Sequence, residues 1–194
     1  MTTICRFSLA ALAALVLAAC DFAPPKFKGT DITGAEYGKQ LELTDHHGKA
    51  RRLEDFRGKA VVLFFGFTHC PDVCPTTLAD AAQVMKKLGP DADRVQMVLV
   101  TVDPERDTQK ALADYVTAFD ARFLGMRGDL EATRRAAKEF KVYFEKRPGK
   151  TPDSYSIDHS AQSYVLDPQG RLRLFVRHDR IAEDLADDLR VLLK

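Results

Sequence analysis

Residues Ala60 to Phe67 read AVVLFFGF, a continuous apolar run enriched in Val and Phe and closed by the polar Thr68. A run of this length without polar alternation suits a strand buried on both faces, the habit of parallel strands covered by helices. A second run, RVQMVLVTVD from Arg94 to Asp103, has the same character. Between the two, Leu78, Ala81, Ala82, Met85 and Leu88 recur at helical spacing, with Pro75 suited to the first turn and Gly89 to the stop. Strand, helix and strand in that order point to an α/β fold.

The remaining pattern extends this reading. Short strands are predicted near Leu41 and at Arg51 to Leu53, then a helix from Thr108 to Phe119 capped by Asp107. A short strand at Phe123 to Met126, a helix from Asp129 to Phe140, a strand in KVYFE and a polar loop from Lys146 to His159 follow. Pro168-Gln169-Gly170 supplies a turn between AQSYVLD and RLRLFVR, and a helix from Ile181 to Leu193 closes the chain. The whole predicts a thioredoxin-like α/β fold: a central mixed β-sheet flanked by helices, with a C-terminal β-hairpin and helix.

The first residues follow another logic. MTTICRFSLAALAALVLAAC has one positive side chain, Arg6, then an uncharged apolar stretch from Phe7 to Ala19. A bilayer span needs about 20 apolar residues, so this shorter stretch reads as a secretory signal over residues 1–19. Leu17-Ala18-Ala19-Cys20 resembles the bacterial lipobox, which implies a lipid on Cys20. Asp21 resembles the signal that retains lipoproteins in the inner membrane, implying a domain that faces the periplasm. Residues 20–37, rich in Pro and Gly, read as a flexible tether, and residues 38–194 as the folded domain.

Of four cysteines, Cys5 leaves with the signal and Cys20 is modified, so the exported domain retains Cys70 and Cys74. This is no disulfide scaffold. The pair is redox-active, metal-binding, or both, since Cys-x-x-x-Cys brings two sulfurs within reach of one metal ion or of each other. Its place ahead of a helix favours thiolates. Two thiolates suit Cu(I) or zinc, and an added imidazole suits Cu(II) as well. Among five histidines, His46 and His47 fall in a turn, His69 adjoins Cys70 and His178 lies beyond the last strand. His159 is the best third ligand, although a solvated or capping role also fits it. The net charge of +1, with no basic stripe, offers nothing to nucleic acid.

FTHCPDVCPTTL, then VDPERDT, then DHSAQSYVLDPQG, in this order, resemble the Sco/SenC family of copper-binding proteins, and the likeness runs from about Leu41 to the C terminus. It implies copper, as Cu(I) and Cu(II), held by Cys70, Cys74 and His159. It also implies a membrane-anchored chaperone that helps build the dinuclear copper centre of cytochrome c oxidase, with the oxidase copper-site subunit as partner. A periplasmic copper donor or thiol reductant would complete the partners. Asp103 matches a family position near the site, where it tunes copper or meets the partner; capping its loop or pairing with Arg106 is the alternative. Lys146 to Asp153 reads either as a flap carrying His159 or as a surface loop. The competing activity is thiol-disulfide exchange on the oxidase subunit, with Cys70 and Cys74 as the redox pair. Peroxide reduction fits less well, because the two sulfurs lie within one turn and a third ligand is at hand, and so does a structural disulfide, because a bridge closing so short a loop contributes little stability.

Overall fold

The computed structural model describes residues 25–151 and 154–194. The expected signal at residues 1–19 and the lipid site at Cys20 lie outside the described residues. No helix among those described is long and apolar enough to cross a membrane.

In chain order the strands and helices are β1 (Thr30–Asp31), β2 (Glu42–Asp45), β3 (Ala50–Arg52), β4 (Ala60–Gly66), α1 (Val73–Leu88), β5 (Val95–Thr101) and α2 (Gln109–Thr117). There follow β6 (Leu124–Arg127), α3 (Leu130–Glu139), β7 (Phe144–Pro148), β8 (Tyr155–His159), β9 (Ser163–Leu166), β10 (Leu172–Val176) and α4 (Ile181–Leu192). Eight strands form one sheet in the order β1-β10-β9-β4-β5-β6-β2-β3, while β7 and β8 form a separate hairpin. β4, β5 and β6 run parallel, and β9 joins β4 antiparallel. The sheet is thus mixed and the fold thioredoxin-like, as its sequence pattern predicts.

Every residue of β4 is buried. Alternation along the strand sends neighbours to opposite faces: Phe64 meets the ring of His159, whereas Phe65 packs on Phe140 just beyond α3. On the Phe64 side α1 packs against α4, and Leu112 and Val116 of α2 cover Gly125 of β6. On the other side Phe140 also packs on Tyr164 of β9. Each of these large side chains, fully removed from water, contributes about 1.5–3 kcal/mol of transfer free energy.

Three expectations change. The tether does not run to residue 37, because the amides of Lys28 and Gly29 each donate to the Asp188 carboxylate at 2.8 Å and β1 pairs with β10. Asp188 is 1% exposed, and a buried carboxylate held by amides fastens the incoming chain to α4. The cap of α2 is Thr108, which accepts from the Ala111 amide at 3.1 Å; Asp107 points inward instead. The polar stretch from Lys146 to His159 is mostly hairpin, with Phe144 opposite His159 and Pro148 opposite Tyr155. Its strands carry mostly exposed polar residues, so the apolar signal that marks a core strand is missing.

His46 is buried in the turn after β2, where its Nδ1 accepts from the Gly125 amide at 3.0 Å. Burial, aided by the neighbouring His47 and opposed by Asp45, lowers its pKa below the ordinary 6.5. Below that pH the unfolded chain binds the extra proton first, so stability is complete above 6.5 and is lost as pH falls toward the folded pKa. Urea unfolding of the wild type is therefore expected to weaken more than that of His46→Gln between about pH 7.5 and about 5.5. Equal slopes for the two proteins would contradict this account of His46.

Candidate metal centre

The site forms where β4 gives way to α1. After Gly66 the chain turns, with the Cys70 amide donating to the Phe67 carbonyl at 3.3 Å, and enters α1 at Val73. The first amides of a helix have no partner within it. Asp72 stands at the N-cap position but makes no side-chain cap bond; the Cys74 amide donates instead to the Cys70 Sγ at 3.4 Å. The three intervening residues bring the first sulfur over the opening turn, and Cys74 lies within that turn.

His159 arrives from β8. Its Nδ1 lies 2.9 Å from the Ser160 carbonyl oxygen, which only accepts, so Nδ1 carries the proton and Nε2 presents its lone pair. Nε2 is 3.6 Å from the Cys74 Sγ, and the rings of Phe64 and Phe67 stand edge-on against the imidazole. One ligand atom from each of Cys70, Cys74 and His159 lies within 4.8 Å of the others. The structure brings these three sequence-predicted residues together, and among the described residues no other metal-competent group of this kind occurs.

The two thiols are unequal. Cys70, half-buried at the helix end, is pulled down to about 3 by the hydrogen bond from the Cys74 thiol; the Asp72 and Cys74 amides add to this, while burial opposes it. Cys74 is wholly buried and its pKa is raised, first by the hydrogen bond it gives Cys70 and then by burial. The pair therefore holds one shared proton and one negative charge, and a metal ion that binds both sulfurs releases that proton. Neither sulfur is engaged in a disulfide. Two thiolates and a neutral imidazole form a soft donor set that suits Cu(I) and accommodates Cu(II).

The Asp103 carboxylate turns to Arg106 and Tyr155. It is 2% exposed, accepts from Arg106 Nε at 2.5 Å and takes the Tyr155 hydroxyl at 2.7 Å. Arg106 in turn donates to the Tyr155 carbonyl at 3.0 Å. Asp103 thus pairs with Arg106, and the pairing reaches the strand that carries His159. The Lys146 to Asp153 stretch reaches into the β7–β8 turn, where residues 152–153 lie outside the description.

Two residues that shape the site escaped the sequence reading. A Cβ on Gly66 would sit 2.7 Å from a Phe64 ring carbon and 2.8 Å from the Cys74 Sγ, so the sulfur occupies space that only glycine leaves. The sole signal was a glycine inside an apolar run. Asp107, fully buried, accepts from the Thr68 hydroxyl at 2.6 Å, the Thr68 amide at 3.1 Å and the Thr101 hydroxyl at 2.5 Å. It ties the start of the cysteine loop to the end of β5, and burial raises its pKa.

A thioredoxin-like domain with two thiols and an imidazole converging at the end of its central strand defines a class of thiol and metal-handling proteins. The SCO1/SenC family model matches residues 29–194, and the chain belongs to that family. It is 42% identical over 152 residues to the mouse mitochondrial protein SCO2 homolog, covering 77% of this chain and 60% of that one. Identity to the human counterpart is 41%, over 57% of its length, so the chain spans about three fifths of these curated relatives. Among solved structures, Bradyrhizobium japonicum ScoI with copper bound superposes with a TM-score of 0.75 at 39% identity, covering 81% of this chain and 99% of that one. The apo Sco1 protein of Thermus thermophilus gives 0.75 at 38%, covering 87% and 97%.

The thiol asymmetry is open to measurement. Alkylation of the reduced protein by iodoacetamide is expected at Cys70 well below the pH at which a free cysteine reacts, and Cys74 is expected to stay protected until the protein unfolds. Preferential labelling of Cys74 would reverse the assignment. Gly66→Ala is expected to cost about 1–3 kcal/mol in urea unfolding by overpacking, and to shift the pH profile of Cys70 alkylation by displacing Cys74. A variant with wild-type stability and an unchanged profile would show that the sulfur needs no such space.

Proposed function

We propose that this protein is a copper chaperone in which Cys70, Cys74 and His159 hold the ion as cargo. The observation that carries the proposal is the convergence of their three ligand atoms within 4.8 Å at the mouth of the cysteine loop. Support comes from the donor set, which suits copper in both oxidation states, and from relatives such as Bradyrhizobium japonicum ScoI and yeast Sco1 that have been solved with copper bound. Cys70, partly exposed and already a thiolate, offers ligand exchange with an acceptor. The acceptor consistent with family membership is the copper-site subunit of cytochrome c oxidase, whose dinuclear centre the chain would help to build. A lipid on Cys20 would hold the domain at the bacterial inner membrane, facing the periplasm, within reach of that subunit.

One observation favours a second reading. A low-pKa thiolate beside a protonated thiol is also the arrangement of a disulfide reductase, in which Cys70 attacks and Cys74 resolves. On that reading the protein keeps the subunit's cysteines reduced so that they accept copper, drawing electrons from an external thiol donor.

Copper titration of the reduced domain, residues 21–194, alongside Cys70→Ser, Cys74→Ser and His159→Ala tests the first reading. The wild type is expected to bind one copper ion, each cysteine variant to lose most of that affinity, and His159→Ala to change the Cu(II) spectrum. No uptake by the wild type would overturn the chaperone reading, and turnover on oxidised subunit peptide without metal transfer would establish the second.

A further inference from the structure

We infer that Tyr155 is the positioning residue that sets the distance between His159 and the two sulfurs. The inference rests on the three-ligand site proposed above. Among the described residues the β7–β8 hairpin shares no backbone ladder with the eight-stranded sheet, so its place on the domain depends on side chains and loop contacts. Along β8, Tyr155, Ile157 and His159 alternate with the exposed Ser156 and Asp158 and so share the face turned to the domain. Whatever fixes one end of that face fixes the register of the other.

The fixture at the first end is Tyr155. Its ring lies between two cations, with the Arg106 guanidinium carbon 3.6 Å and the Lys146 ammonium 3.7 Å from its centroid. Its hydroxyl donates to the buried Asp103 carboxylate at 2.7 Å, and its carbonyl accepts from Arg106 at 3.0 Å. The ring, hydroxyl and backbone of one residue are therefore all engaged. Arg106 also stands 6.0 Å from the Phe67 ring centroid, and Phe67 packs edge-on against His159, so the same guanidinium borders both ends of the path. Of these contacts only the stack with Lys146 lies within the hairpin itself, since Asp103 and Arg106 belong to the loop between β5 and α2. Tyr155 thus works through His159 without touching the metal ligands.

The test compares wild type, Tyr155→Phe and Tyr155→Leu in the reduced, metal-free domain by NMR with labelled histidine. Contacts from the His159 ring to the Phe64 and Phe67 rings are expected in the wild type, retained in Tyr155→Phe, which keeps the ring between its cations, and lost in Tyr155→Leu. Core contacts between Phe65 and Phe140 should persist in all three and serve as the measure of folding. Titration with cupric ion is expected to show affinity lowered about tenfold or more in Tyr155→Leu, with weakened imidazole nitrogen coupling in the paramagnetic resonance spectrum, and rescue by Tyr155→Phe. If Tyr155→Leu keeps the His159 contacts of the wild type, the positioning role is overturned. Should that variant not fold, Arg106→Gln, which removes the stack and the carbonyl contact, is expected to displace His159 alike; unchanged contacts there overturn the role too. A wild type that takes up no copper would sink the chaperone reading while the metal-free spectra still decide this one.

Discussion

The site depends on how closely α1 approaches the end of β4. Cys74 lies in the first turn of that helix, and its sulfur occupies the volume a side chain at residue 66 would fill. From this contact follow the burial of Cys74, the placement of Cys70 over the open amides of the helix, and the difference in acidity between the two thiols. A hydroxyl or carboxylate cap would have satisfied those amides equally well in terms of helix stability. A sulfur there links the helix terminus to the chemistry, because the groups that need a hydrogen-bond acceptor are the groups that stabilise a thiolate.

Around this contact the protein uses buried carboxylates as fasteners. Asp107 joins the cysteine loop to the end of β5, Asp103 joins the following loop to the hairpin, and Asp188 joins the N-terminal segment to α4. Each is almost fully removed from water, and each takes several donors, as a buried charge requires. They differ in what they balance. Asp103 faces a guanidinium, whereas Asp107 is held by hydroxyls and an amide, and burial raises the Asp107 pKa against the lowering effect of those bonds.

Much of this was legible from the chain, and the reasons are local. Ala60 to Gly66 and Val95 to Thr101 announce themselves because a strand buried on both faces is apolar at nearly every position, and α1 shows its period because one stripe meets the sheet. Cys70 and Cys74 stood out by spacing, while His159 needed the family likeness, since nothing in its own neighbourhood distinguishes a ligand from a solvated ring. Lys146 to His159 reads as loop by sequence because it is mostly exposed and polar, and strand formation there is decided by pairing rather than burial. By sequence Asp107 reads as a helix cap, because an aspartate just before a helix suits that role. Its real partners, Thr68 and Thr101, are distant in sequence and adjacent only after the sheet forms. Gly66 and Tyr155 were silent for the same reason: their importance lies in what stands next to them in space.

The unequal burial of the two sulfurs also fixes a sequence of events. Cys74 has no exposed surface, whereas Cys70 retains some. An electrophile arriving from solvent therefore meets Cys70 before Cys74, and an ion meets Cys70 or the part-exposed His159 before the inner sulfur. Traffic through such a site is ordered rather than concerted: the outer groups make the first bond to an incoming species, and the inner sulfur, shielded by α1 and β4, is the last to be reached.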